Sequence, residues 1–244
     1  MKVALCFHGN AGFKEKLRGN ELKELEPLDI SKPIESIKRN LINHYDTYVF
    51  IHSWSEDRSD EIIKKLSPKK YIFEKHKKFS RKFTDRKNAT CSKYYSVEKS
   101  NQLKKLYEEE NNFTFDVVMH TRFDLLWHTK IPLEQDFNDK YIFFPNWNRS
   151  VNDNQLGPFL KENINVGSSA YDAWFFTSSK ISDKYSQIYT NRKKLNKLSG
   201  KSWSPHQMSY QQASINNFEL KHVLYTGYDF TLYRRYIQEG YRVK

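Results

Sequence analysis

The sequence predicts an α/β protein with a mostly parallel central sheet. Three observations carry that expectation. Short apolar, strand-like runs alternate along the chain with segments of helical periodicity. No internal repeat, low-complexity tract or Pro/Gly/Ser-rich linker breaks the alternation. At 244 residues the chain supplies one full core, so a single domain over residues 1–244 is expected.

Residues 2–7 read as a first buried strand, ending in the turn-forming stretch His8-Gly9-Asn10-Ala11-Gly12. A polar, poorly patterned loop continues to Ile30. Ser31 then offers an N-cap, Pro33 suits a first helical turn, and Ile34, Ile37, Leu41 and Ile42 fall on one helical face. Residues 48–51 form a second apolar strand, ending at His52-Ser53-Trp54. A helix and a strand fill residues 60–74, and the basic, irregular stretch 75–91 predicts a surface loop. Ser96 begins a helix with Leu103, Leu106 and Tyr107 on one side. Residues 116–120 make the next strand and run into Thr121-Arg122-Phe123-Asp124. Residues 141–144 and 173–176 are further strands, with helices at 180–198 and 205–216 and a last strand at 222–225.

Charge narrows the partners. A net charge of +12 favours anions: nucleic acid, membrane phosphates, nucleotide diphosphates or acidic glycans. Solvated lysine faces explain most of that charge, because the chain is jointly rich in Lys, Asn, Ile, Tyr and Phe, as AT-rich coding produces. No run approaches the roughly 20 apolar residues that a transmembrane helix needs. The opening MKVALCFHGN is too short an apolar run for a secretory signal, which predicts a cytoplasmic protein, in a host's cytoplasm if the source is viral. Two cysteines, Cys6 and Cys91, support neither a disulfide framework nor a cysteine zinc site.

Polar residues cluster where strands end, and open α/β sheets bind ligands beyond the carboxyl ends of their strands. If the first, second and central strands lie side by side and parallel, then Gly9, Asn10, His52, Trp54, Arg122 and Asp124 share one rim. Gly9 permits close backbone approach to a ligand. His52 and Trp54 suit stacking or hydrogen bonding in a nucleotide pocket, or plain packing. Asp124 suits a divalent cation bridging a diphosphate. Arg122 suits phosphate contact or a fork-shaped pair with Asp124; an ordinary structural ion pair is the plainer alternative. Asp172, opening an apolar strand, is placed to take a proton from an acceptor hydroxyl or to cap a turn.

These segments, in this order, resemble the GT-A-like glycosyltransferases of large DNA viruses and bacterial capsule or surface-polysaccharide clusters. The resemblance spans roughly residues 1–190 and rests on Phe7-His8-Gly9-Asn10, on residues 49–54, on a Tyr-Ser then Leu-Lys-x-x-Tyr-Glu helix at 95–108, on residues 115–124 ending in Arg-x-Asp, and on the Asp-x-Trp-x-Phe-type strand at 172–176. It implies a Rossmann-like, mostly parallel sheet with helices on both faces. It implies a nucleotide-sugar donor (UDP- or GDP-linked), a divalent cation (Mn2+ or Mg2+) and transfer to a hydroxyl of a glycan or glycoprotein in glycan biosynthesis. Carried over by position, Phe7, Gly9 and Asn10 touch the nucleotide, and His52 and Trp54 line its pocket. Asp124 faces the metal and the diphosphate, Arg122 the sugar or phosphate, and Asp172 lies near the acceptor. The chain departs from the family in two places. Arg122-Phe123-Asp124 stands where many members have Asp-x-Asp, which leaves one carboxylate fewer for the cation and a positive charge in its place. Ala11 and Gly12 follow Asn10 where relatives more often carry Gln and then a basic residue. Two other readings stand beside this one: a basic nucleic-acid-binding protein, weakened because no helix-turn-helix, RNP or zinc motif is visible, and a catalytically inactive relative that only binds nucleotide or glycan.

Overall fold

The computed structural model describes residues 1–11, 29–146 and 172–233. Its strands are β1 (Lys2–Gly9), β2 (Asp46–Ser53), β3 (Lys70–Phe73), β4 (Val117–Arg122), β5 (Leu125–Trp127), β6 (Tyr141–Asn146), β7 (Phe175–Thr177), β8 (Glu219–Tyr225) and β9 (Phe230–Leu232). Its helices are α1 (Ser31–Asn40), α2 (Ser59–Leu66), α3 (Asp85–Asn111), α4 (Ser179–Tyr185), α5 (Arg192–Leu198) and α6 (Pro205–Ile215).

Seven strands form one sheet in the order β3-β2-β1-β4-β7-β6-β8, while β5 and β9 make a small antiparallel ribbon. β3, β2, β1 and β4 run parallel. β7 runs against both its neighbours, and β6 and β8 pair in parallel. The sheet is therefore mostly parallel, as the sequence predicts.

Alternation along β1 divides the core. Val3, Leu5 and Phe7 pack on one face with Ile34 and Ile37 of α1. Ala4 and Cys6 point to the other face, in a cluster with Phe50, Leu103 and Phe115. Strands buried on both faces read as continuous apolar runs, which is why β1 and β4 carry so little polar alternation. A third cluster joins Ile142 and Phe144 of β6 to Ile181, Tyr185, Leu195 and Met208 of the late helices.

Three local expectations change. The helix predicted from Ser96 begins at Asp85, and half of the predicted basic loop is its first turns. Thr84 caps it by accepting from Lys87 N–H at 3.2 Å, and the polar residues that follow have no apolar stripe to announce a helix. Ser96 lies fully buried in its middle, whereas Leu106 is 45% exposed. The helix predicted over 180–198 breaks at a 3-10 turn, Ser186–Ile188, where Gln187 leaves helical geometry. Gly12, the loop up to residue 28, and residues 165–171 ahead of Asp172 lie outside the described residues.

Candidate functional site

β2, β1 and β4 are adjacent and parallel, so their carboxyl ends meet. His8 pairs in register with both His52 and Arg122, and Gly9 with Ser53. Gly9 has φ +92°, a conformation that disfavours other residues, and open space lies where a side chain would project. The turn is pinned from three sides. Gly9 N–H donates to Ser96 Oγ at 2.7 Å, Trp54 N–H donates to the Gly9 carbonyl at 3.2 Å, and Ala11 N–H donates to Ser55 Oγ at 2.9 Å. Arg58 Nη1 holds the Ala11 carbonyl at 2.6 Å. Asn10 stays partly exposed between these anchors.

Beside the turn, β4 ends at Arg122 and the chain makes a turn at Phe123–Asp124 before β5. Arg122 Nε donates to Asp124 Oδ1 at 2.8 Å and Nη2 donates to Oδ2, a bidentate pair. The carboxylate side chain is 2% exposed and the arginine 27%. Phe123 between them turns inward and stacks on Phe7, with ring centroids 4.9 Å apart. Tyr233 N–H, just past β9, donates to the Asp124 carbonyl at 2.9 Å, so the ribbon fixes this turn.

Asp172 joins the same group through α3. Lys93 Nζ bonds both its carbonyl and its carboxylate. Tyr94 Oη, which donates to the Pro205 carbonyl at 2.6 Å, lies 3.2 Å from Oδ2, and His206 Nδ1 lies 3.2 Å from Oδ1. Burial alone would raise the Asp172 pKa; Lys93 and His206, with Arg122, outweigh it and hold the carboxyl below its ordinary value. Burial lowers the Lys93 pKa; Asp172 opposes that, Arg122 adds to it, and Asp124 is also within electrostatic reach. His8 is kept neutral by burial first, then by the charges of Lys93 and Arg122. One electrostatic cluster therefore contains His8, Lys93, Arg122, Asp124, Asp172 and His206.

The predicted site residues thus divide into two groups. Gly9, Asn10, Arg122, Asp124 and Asp172 come together at the strand tips. Phe7, His52 and Trp54 lie beneath, at 1%, 0% and 5% exposure. Phe7 faces α1 because odd positions of β1 do. His52 Nδ1 contacts Ser96 Oγ at 2.8 Å, and burial pushes its pKa down to about 4. Trp54 stacks on Tyr95, with His76 and Phe79 against its edges. As placed, these three form the floor of the rim and not its open face. A niche on the α1 side, lined by Phe7, Ile34, Phe123 and Arg122, is too tight even for water and cannot hold a nucleotide.

Lys93, Tyr94 and His206 escaped the sequence reading, and Ser96 entered it only as a helix start and part of the Tyr-Ser motif. Packing of α3 and α6 against the sheet delivers all four. A divalent cation fits the described residues poorly. Both oxygens of Asp124 hold a guanidinium, and no group of three His, Cys, Asp or Glu comes together among the described residues. No described helix is long and apolar enough to cross a membrane. No protein-family model matches the chain, and no curated protein matches it significantly.

Proposed function

We propose that the chain is a GT-A-like glycosyltransferase that moves a sugar from a nucleotide diphosphate, UDP or GDP, to a hydroxyl of a glycan or glycoprotein. The observation that carries this reading is the convergence of Gly9, the Arg122–Asp124 pair and Asp172 at the adjoining carboxyl ends of parallel strands. That is where open α/β sheets bind ligands. The ordered motif resemblance supplies the reaction class, an argument by analogy.

In this reading the acceptor oxygen attacks the anomeric carbon of the sugar. The bond from that carbon to the phosphate oxygen breaks, and the diphosphate leaves with the electron pair. In an inverting reaction Asp172, held ionised by Lys93 and flanked by His206, receives the acceptor proton. A retaining reaction needs no base at that position. Asn10 offers its side-chain amide to the nucleotide and Gly9, without a side chain, lets it come close, with Phe7, His52 and Trp54 supporting them from below.

Donor hydrolysis tests the reading. Asp124→Ala is expected to lower turnover of the preferred UDP- or GDP-sugar by about 100-fold, as loss of a group that organises charge at the reacting bond does. Unchanged turnover in a folded variant removes Asp124 from the mechanism.

Nucleic-acid binding is the second reading, motivated by the basic stretch 75–87. Several of its lysines are already engaged. Lys75 and Lys77 pair with Glu56 and Glu74, and Lys87 lies over Phe83 and Trp203. Steeply salt-dependent binding to single strands would favour that reading over sugar transfer.

A further inference from the structure

The Arg-Phe-Asp turn already contains its own cation. Arg122 occupies both oxygens of Asp124 with two separate N–H groups, and the acid is sealed at 2% exposure while the arginine remains 27% exposed. β4 ends at Arg122, and the turn at Phe123–Asp124 that follows sets the acid beside it. The second acid of the rim is engaged in the same way. Asp172 Oδ2 takes Lys93 Nζ, and Oδ1 faces His206. Lys93 is 20% exposed. Mg2+ demands near-octahedral oxygen ligands at about 2.1 Å, and Ca2+-like ions need even more oxygens. At this rim such an ion would have to displace a bidentate pair and then sit beside two fixed positive charges.

We infer that Arg122 and Lys93 together replace the divalent cation, and that a nucleotide diphosphate binds at this rim without metal. A guanidinium matches phosphate oxygens in a fork, and an ammonium acts as a point charge beside it. Asp124 is then a positioning residue that holds Arg122 at the strand tips, and Asp172 holds Lys93 there beside its place as the base of an inverting reaction. This inference rests on the donor-site reading above and specifies how that site meets the charge of its ligand.

Calorimetry of UDP and GDP binding to the full chain, in EDTA and in excess manganese, tests it. The expected dissociation constants agree within about twofold between the two conditions, a difference under 0.5 kcal/mol. Lys93→Met is expected to weaken binding about tenfold or more in EDTA, and Lys93→Arg to restore most of it. Binding seen only with manganese overturns the inference and leaves the donor-site reading standing, as does a Lys93→Met variant that binds as the parent does. Failure of both nucleotides in both conditions removes the reading and the inference together. A metal titration of the unaltered chain needs no variant to fold. Manganese followed by electron paramagnetic resonance is expected to remain free at concentrations that saturate the nucleotide, and a stoichiometric site abolished by Asp124→Asn overturns the inference.

Discussion

Lys93 and Lys104 stand about three turns apart on α3, on the same side of the helix, and each meets an aspartate from beyond β6. Their surroundings differ. Lys104 is completely buried, and its three protons go to Glu108 at 2.8 Å, Ser179 at 2.6 Å and Asp183 at 2.7 Å. Glu108 also accepts from Phe115 N–H and Ser179, and Asn101 links Asp183 to Ser182. Lys104 and Glu108 are shut off from water and Asp183 alone among its ionic partners reaches it, so the network ties α3 to α4 and to the entry of β4. Lys93 lies at the other end of the sheet, partly exposed, with a second cation and a second acid nearby. The two clusters use the same chemistry. Position relative to the strand tips, and access to solvent, separate a structural ion pair from a candidate site.

The largest expected effect breaks the sealed cluster. Lys104→Met leaves Glu108 buried without its cation, and Asp183 unpaired at 28% exposure, and should cost about 3 kcal/mol of stability. Urea unfolding measures that cost. Nucleotide affinity of the variant, taken below its melting temperature, should stay at the parent value; a matching loss of affinity would erase the distinction between the clusters.

Acid should act next. Burial, and then the charge of Lys104, push the His120 pKa down to about 3, and burial pushes His52 down to about 4. Both rings are neutral in the folded chain at pH values where the unfolded chain protonates them. Stability is therefore full above about pH 6.5, the unfolded value, and falls as pH drops from there toward 4 and 3. The slope reaches about 1.4 kcal/mol per pH unit for each ring. Denaturation midpoints between pH 7 and 5 read it above the range where carboxylates titrate. A flat profile there would mean that these rings carry protons in the folded state. His120→Phe and His52→Phe should each remove one share of the slope, and the remainder belongs to His8 and the other histidines whose pKa burial lowers.

The smallest effect is the stability counterpart of the metal experiment. Lys93→Met should cost roughly 1–2 kcal/mol, well below Lys104→Met, because water reaches the Lys93–Asp172 pair and His206 remains beside the acid. Equal losses at the two lysines would show the rim to be as sealed as the buried network.

The contrast explains what was legible. β1, β2 and β4 announce themselves as apolar runs, and their polar endings identify Gly9, Arg122 and Asp124 as neighbours once the strands are taken as adjacent and parallel. Asp172 was visible as an acid opening an apolar strand. Lys93 was not, because a lysine in a polar stretch without periodicity looks like any solvated charge, and the chain has many. The early start of α3 was hidden for the same reason. His52 and Trp54, at a strand ending, carried both a pocket reading and a packing one; α3 covers them, and they pack in an aromatic cluster with Tyr95.

By itself, the sequence determined the α/β alternation, the strands that bury on both faces, and the polar turns that close them, because each of these depends on local patterning and backbone chemistry. The tertiary structure alone decided the strand order, the reversal of β7, and which charges share a cluster. Those depend on contacts between residues far apart in the chain. The pairing of Lys93 with Asp172 across the sheet leaves no periodic trace in either segment.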